Sequence, residues 1–125
     1  MTKYTKYQVL LVDDNPVVRR IIRQVLEKES DLTICGEADD GSEALDKAKL
    51  LKPDVVILDL SMPRMNGLEA APQIRDVLPG ACLILFTLYG NQEIRKAAKQ
   101  VGIDAVISKA DRGDELVKAA RAFFA

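Results

Sequence analysis

With 125 residues, 48% of them apolar and 30% charged, the chain has the size and composition of one domain spanning residues 1–125 with a sizeable core. Its formal charge of −1, from 18 basic and 19 acidic residues, gives no electrostatic reason to bind nucleic acid, since that affinity rests mainly on neutralised phosphates. No run approaches the ~20 apolar residues of a membrane span and MTKYTKYQVLLVDD holds no signal-peptide core, so no membrane association and a cytoplasmic location are expected.

Apolar runs alternate with segments of helical period, a pattern that predicts βαβ units and a parallel sheet. The first run predicts a strand over Gln8–Val12, after which Asn15 can cap a helix with Pro16 at its first position and Val18, Ile21, Ile22 and Val25 at helical spacing. A second strand is predicted over Leu32–Glu37, followed by a helix that Asp40 and Glu43 can open as a capping box. The third strand, Val55–Leu58, runs directly into Asp59 and a loop rich in Pro, Asn and Gly. Asn66 and Glu69 have capping-box spacing for the next helix, but Pro72 falls inside it, and a proline there costs about 3 kcal/mol in a regular interior. An irregular segment between Leu68 and Pro72 is therefore expected. A fourth strand over Cys82–Phe86 precedes a helix capped by Asn91, with Ile94, Ala97 and Ala98 on one side. A fifth strand over Ala105–Ile107 precedes a helix opened by Asp111 or Asp114, with Leu116, Val117, Ala120 and Phe124 as its apolar stripe. Of Phe123 and Phe124, at least one is expected in the core.

In an open parallel sheet the ligand site lies beyond the carboxyl ends of the strands, where strand order reverses. Asp13 and Asp14 end the first strand, Asp59 ends the third, Thr87 ends the fourth and Lys109 follows the fifth, so all five point to one rim. Three carboxylates so gathered raise one another's pKa unless a cation neutralises them. A hard divalent ion with oxygen ligands does so, and Mg²⁺ keeps waters that phosphate oxygens can replace. Thr87 can donate a hydrogen bond to a phosphoryl oxygen, Lys109 can balance developing charge, and Asp59 can act as nucleophile. The two cysteines, Cys35 and Cys82, have no metal spacing, and histidine is absent.

Together, VLLVDDNPVVR, VVILDLSMPRMNGLEA, LILFT and AVISK resemble the receiver domain of two-component response regulators over nearly the whole chain. The resemblance implies a flavodoxin-like α/β fold, a doubly wound five-stranded parallel sheet in order 2-1-3-4-5 with helices on both faces. It implies that Asp59 is phosphorylated by a histidine kinase or phosphotransfer protein. It further implies that Asp14, Asp59 and the backbone carbonyl of Ser61 ligate Mg²⁺, that Asp13 acts through a water, that Thr87 is the switch hydroxyl and that Lys109 is its counter-charge. On that strand order Cys35 and Cys82 lie roughly 14 Å apart, too far for a disulfide.

The match departs from the family at Val106, where an aromatic residue usually rotates with the threonine; Tyr89 is a candidate to take part instead. Leu88 and Ala110 stand where a small residue and a proline are common, and Ser61 and Tyr89 are expected to flank the path of an attacking water. The leading reading is a phosphorylation-controlled switch, not an enzyme, that assists its own phosphorylation and dephosphorylation. A degenerate receiver acting as an unphosphorylated scaffold is the alternative, and a homodimer stays open. An aspartyl phosphatase would want a second carboxylate where Ser61 stands, and DDNP after the first strand is no Gly-rich dinucleotide loop. The last predicted helix reaches RAFFA, which fits a stand-alone receiver or a piece of a longer regulator with a helix-turn-helix output domain.

Overall fold

Each apolar run becomes a strand of one sheet in the computed structural model, which describes residues 6–110 and 113–125. The strands β1 (Tyr7–Val12), β2 (Leu32–Ala38), β3 (Val55–Leu58), β4 (Cys82–Thr87) and β5 (Ala105–Ser108) pair in parallel in the order β2-β1-β3-β4-β5. β3 and β4 are buried at every position, because helices cover both faces of a parallel sheet.

The helices are α1 (Pro16–Leu26), α2 (Gly41–Leu51), α3 (Gly67–Val77), α4 (Gln92–Gln100) and α5 (Asp114–Phe124). Successive strand side chains point to opposite faces, so each strand feeds two cores. Leu10, Val56, Leu58, Leu83 and Leu85 pack with Ala44, Ala48, Ala70, Ile74 and Ala98 of α2, α3 and α4. Val9, Leu11, Ile57, Ile84 and Phe86 pack instead with Ile22, Leu26, Leu116 and Ala120 of α1 and α5. Phe124 joins that second core and stacks on Tyr7 with ring centroids 4.0 Å apart, while Phe123 stays 39% exposed. Cys35 on β2 and Cys82 on β4 are free thiols with β1 and β3 between them. Burial, above all, pushes the Cys82 thiol up to about 12, which keeps it protonated and unreactive. Among the described residues no helix is long and apolar enough to cross a membrane.

The caps at Asn15, Asn66 and Asn91 form as their spacing predicts. The Asn15 side chain accepts from the Val17 and Val18 N–H groups with Pro16 behind it, and Asn91 accepts from Ile94 N–H. Asn66 and Glu69 complete a reciprocal capping box. Asp40 accepts from Glu43 N–H, but Glu43 reaches back to Asp39 N–H instead of to the cap itself. Asp111 lies outside the described residues; α5 opens at Asp114, after Gly113, with no side-chain cap.

Pro72 departs from expectation. α3 runs without interruption from Gly67 to Val77 with Pro72 inside it, so the irregular segment between Leu68 and Pro72 does not occur. Pro72 lies on the exposed side of the helix, where the carbonyl of Leu68 that loses its N–H partner can turn to water, while Ala70, Ala71 and Ile74 anchor the other side. Ile21, placed on the apolar side of α1 by its spacing, is 54% exposed.

The loop from β3 to α3 is tied to the start of α2. Asp40 is buried and accepts from Arg64 Nε at 2.6 Å, Gly41 N–H donates to the Met65 carbonyl at 3.1 Å, and Arg64 adopts a left-handed backbone with φ of 66°. The Glu43 backbone N–H foremost, with Arg64, holds the Asp40 carboxyl below the usual carboxylate range. A depressed carboxylate contributes stability that is present above its unfolded pKa of ~3.9 and lost as pH falls through the folded value. Arg64→Ala is therefore expected to lower stability at pH 7 by about 0.5–1 kcal/mol, since Arg64 is largely exposed. In urea titrations the difference from wild type should shrink as acid protonates Asp40.

Candidate functional site

Strand register brings the acids together. Val12 pairs with Leu58, so the residues that follow, Asp13 and Asp59, leave the sheet side by side, and Asp59 N–H donates to the Val12 carbonyl at 2.9 Å. β2 lies to one side of β1 and β3 to the other, which makes this the point where strand order reverses. On the far side of β3, Thr87 pairs with Ser108, and Lys109 N–H donates to the Thr87 carbonyl at 2.9 Å.

Carboxylate oxygens of Asp13, Asp14 and Asp59 lie within 4.8 Å of one another. Lys109 Nζ stands 2.8 Å from Asp13 Oδ2 and 3.2 Å from Asp59 Oδ1. Asp13 is buried with both oxygens engaged, Oδ1 accepting from Asn15 N–H at 2.9 Å and Oδ2 from Lys109. Asp14 is exposed. These residues and Ser61 share a cleft of about 250 Å³ whose rim carries Leu88 and Tyr89. Thr87 at the end of β4 is fully buried, and its Oγ1 accepts from Tyr89 N–H at 3.0 Å. Asp13, Asp14, Asp59, Ser61 and Lys109 thus line one cleft, whereas Thr87 does not line it and its hydroxyl is engaged with the loop that follows β4.

The electrostatics are those of an acid cluster short of positive charge. Burial first, then the neighbouring Asp13 carboxylate, push the Asp59 pKa up, and Lys109 only partly opposes them. Burial works against the Lys109 ammonium, yet the hydrogen bond and charge of Asp13, joined by Asp59, outweigh it and hold its pKa above the ordinary value. One lysine does not neutralise three carboxylates. The donor set is entirely oxygen and one acid is open to solvent, which suits a hard divalent cation that keeps some of its water.

Three supporting residues carried no legible functional signal. Gly67 begins α3 so close to the end of β3 that a Cβ there would collide with the Asp59 carbonyl oxygen, and its N–H donates to the Leu60 carbonyl at 3.1 Å. Arg19 donates from Nη1 to the Asp13 carbonyl and from Nε to Glu37 Oε1 at 2.8 Å, pinning the backbone beneath the first acid. Arg95 on α4 bonds two carbonyls, those of Gly90 and Val106. Arg19 and Arg95 share one trace in the sequence: each is a cation near the N-terminus of its helix, where the helix dipole does not favour positive charge.

A doubly wound sheet with an acidic cleft at its switch point and a lysine across from the acids defines a class that the comparisons make specific. Residues 9–121 match the response regulator receiver domain, and the chain belongs to that family of two-component proteins. It is 37% identical over 117 residues, 94% of its length, to the uncharacterized transcriptional regulatory protein YxjL of Bacillus subtilis, of which the match covers 54%. The chain spans about half the length of such curated relatives. Its fold superposes with a TM-score of 0.89 and 30% identity on a LuxR-family two-component response regulator from Aurantimonas sp. SI85-9A1, covering 94% of this chain and 84% of that one. The CheX-CheY-BeF3-Mg+2 complex from Borrelia burgdorferi gives a TM-score of 0.87 at 27% identity, with 97% of this chain and 91% of that chain covered.

Proposed function

We propose that this receiver is a signalling switch that takes a phosphoryl group onto Asp59 from a histidine kinase or phosphotransfer protein, with Mg²⁺ held by Asp14, Asp59 and the Ser61 carbonyl and by Asp13 through a water. The observation that carries the reading is the convergence of three carboxylates within 4.8 Å, two of them against one lysine. The CheY complex with BeF3 and Mg²⁺, on a closely similar fold, supports it.

An ionised Asp59 oxygen attacks phosphorus, forming an acyl phosphate as the bond from phosphorus to the donor's imidazole nitrogen breaks. When bound, the cation neutralises the acids and orients the phosphoryl oxygens. Asp13 holds Lys109 beside Asp59, so the ammonium is already in place where negative charge accumulates. The Thr87 hydroxyl reaches a phosphoryl oxygen by giving up the Tyr89 N–H, which couples the new charge to the loop after β4. Receivers are switches, and this one assists its own loading and unloading through these groups. Ser61 and Tyr89 at the cleft rim limit the approach of water and so tune how long the acyl phosphate lasts.

Beside Lys109, Val18, Ile21, Ile22, Val25 and Phe86 line an apolar groove, and Val17 and Ile21 are more than half exposed, which suits docking of a phosphodonor helix. We place the module in the cytoplasm, with transcriptional output through a separate helix-turn-helix domain, no nucleic acid bound by this chain, and a homodimer as one output state. The description of YxjL as a transcriptional regulatory protein supports the transcriptional output.

The test is incubation with a small acyl-phosphate donor and Mg²⁺, read by intact mass. Gain of one phosphoryl group supports the switch, no gain supports the scaffold, and rapid steady consumption of the donor supports a phosphatase. Mg²⁺ alone is expected to stabilise the fold by about 2.7 kcal/mol at a concentration of ~100 times its dissociation constant. For a chain of this size that is roughly 8 °C in melting temperature. Asp14→Ala should abolish the shift in thermal melts; a full shift in that variant would remove Asp14 from the ligand set.

A further inference from the structure

We propose that Arg95 carries the phosphorylation state of Asp59 from the loop after β4 to the outer strand β5, a role that rests on the phosphoacceptor reading above. Val106 has no ring to swing between buried and exposed positions, so the link to β5 must run through something other than that side chain. A chain of short hydrogen bonds supplies it. Thr87 Oγ1 accepts from Tyr89 N–H at 3.0 Å, the carbonyl of the following residue, Gly90, accepts from Arg95 Nε at 3.1 Å, and the Val106 carbonyl accepts from Arg95 Nη1 at 3.0 Å.

The circuit closes on the site itself. From Val106 the strand leads three residues on to Lys109, whose N–H bonds the Thr87 carbonyl and whose Nζ bonds Asp13 and lies beside Asp59. Among the described residues, excluding its chain neighbours, only Arg95 and Val106 come within 4 Å of a Cβ at Gly90, at ordinary contact distances of 3.7 and 3.8 Å. The three residues therefore pack as one unit.

A guanidinium is a rigid planar fork that can hold two acceptors in fixed relation, which an alkyl side chain cannot. The placement is also costly unless the two carbonyls reward it, because Arg95 sits near the positive end of α4. When Thr87 turns to a phosphoryl oxygen and releases Tyr89 N–H, the Gly90 carbonyl can shift only by pulling the guanidinium with it or by breaking the bridge. Either event changes β5. Arg95 also lines a groove with Lys99, Val106 and Phe123 between α4, β5 and α5, so the same event alters the surface offered there.

Amide hydrogen exchange of the full chain, with and without the acyl-phosphate donor and Mg²⁺, tests the link, with loading checked by intact mass. In wild type, loading is expected to change exchange at residues 88–91 and 105–108, about 5-fold or more at β5. Arg95→Ala and Arg95→Met, the second keeping an apolar stem without donors, are expected to load as wild type does, keep the response at 88–91 and lose that at 105–108. A wild-type response at 105–108 in either loaded variant, or none there in loaded wild type, overturns the proposal. Failure of wild type to load overturns the phosphoacceptor reading and this one with it, and the mass measurement separates that case.

Discussion

Asp59→Asn is expected to gain no phosphoryl group under conditions that load the wild type, and to be more stable than the wild type when Mg²⁺ is absent. An amide has the shape of the carboxyl group but no anionic oxygen to attack phosphorus, so the loss should be complete within the sensitivity of intact mass. The stability gain follows from the raised Asp59 pKa, which burial and then Asp13 impose. A carboxyl group whose folded pKa is raised binds more protons folded than unfolded, so its ionisation costs stability as pH rises from ~3.9 to the folded value. Below that window both states are protonated and the two proteins should melt more nearly alike; above it the advantage of the variant is full. Thermal melts from pH 3 to pH 8 in the presence of a chelator check the sign. Loading of the Asn variant would place the phosphoacceptor elsewhere.

Gly67→Ala is expected to disrupt both fold and chemistry. The new Cβ would be driven into the Asp59 carbonyl oxygen, with Asp59 C at 3.1 Å and Leu85 Cδ1 at 3.0 Å. Backbone on one side and a fully buried leucine on the other leave little room to yield, and overpacking of this kind costs about 3 kcal/mol or more. What relief there is must come from moving Asp59, and a displacement near 1 Å at a reacting group can cost roughly 100-fold in rate. Urea unfolding and the rate of loading by the acyl-phosphate donor should therefore fall together. Gly80→Ala is the matched control: nothing lies within 4 Å of its Cβ, and both measurements should stay at wild-type values.

What could be read from the residues in order was whatever depends on near neighbours in the chain. The five apolar runs became the five strands within a residue or two, Asn15, Asp40, Asn66 and Asn91 capped the helices their spacing assigned them, and the acids sat at strand ends where register makes them meet. Caps and strand faces obey periods of a few residues, so the residue types themselves announce them. Other features waited for three dimensions: Pro72 tolerated on an exposed helix side, the Thr87 hydroxyl turned to Tyr89, the crowding at Gly67, and the arginines reaching carbonyls of Asp13, Gly90 and Val106. Every residue carries a carbonyl, so an acceptor of that kind leaves no mark on the sequence. Which one a guanidinium finds, and how near a helix comes to a strand, is set when segments distant along the chain pack together.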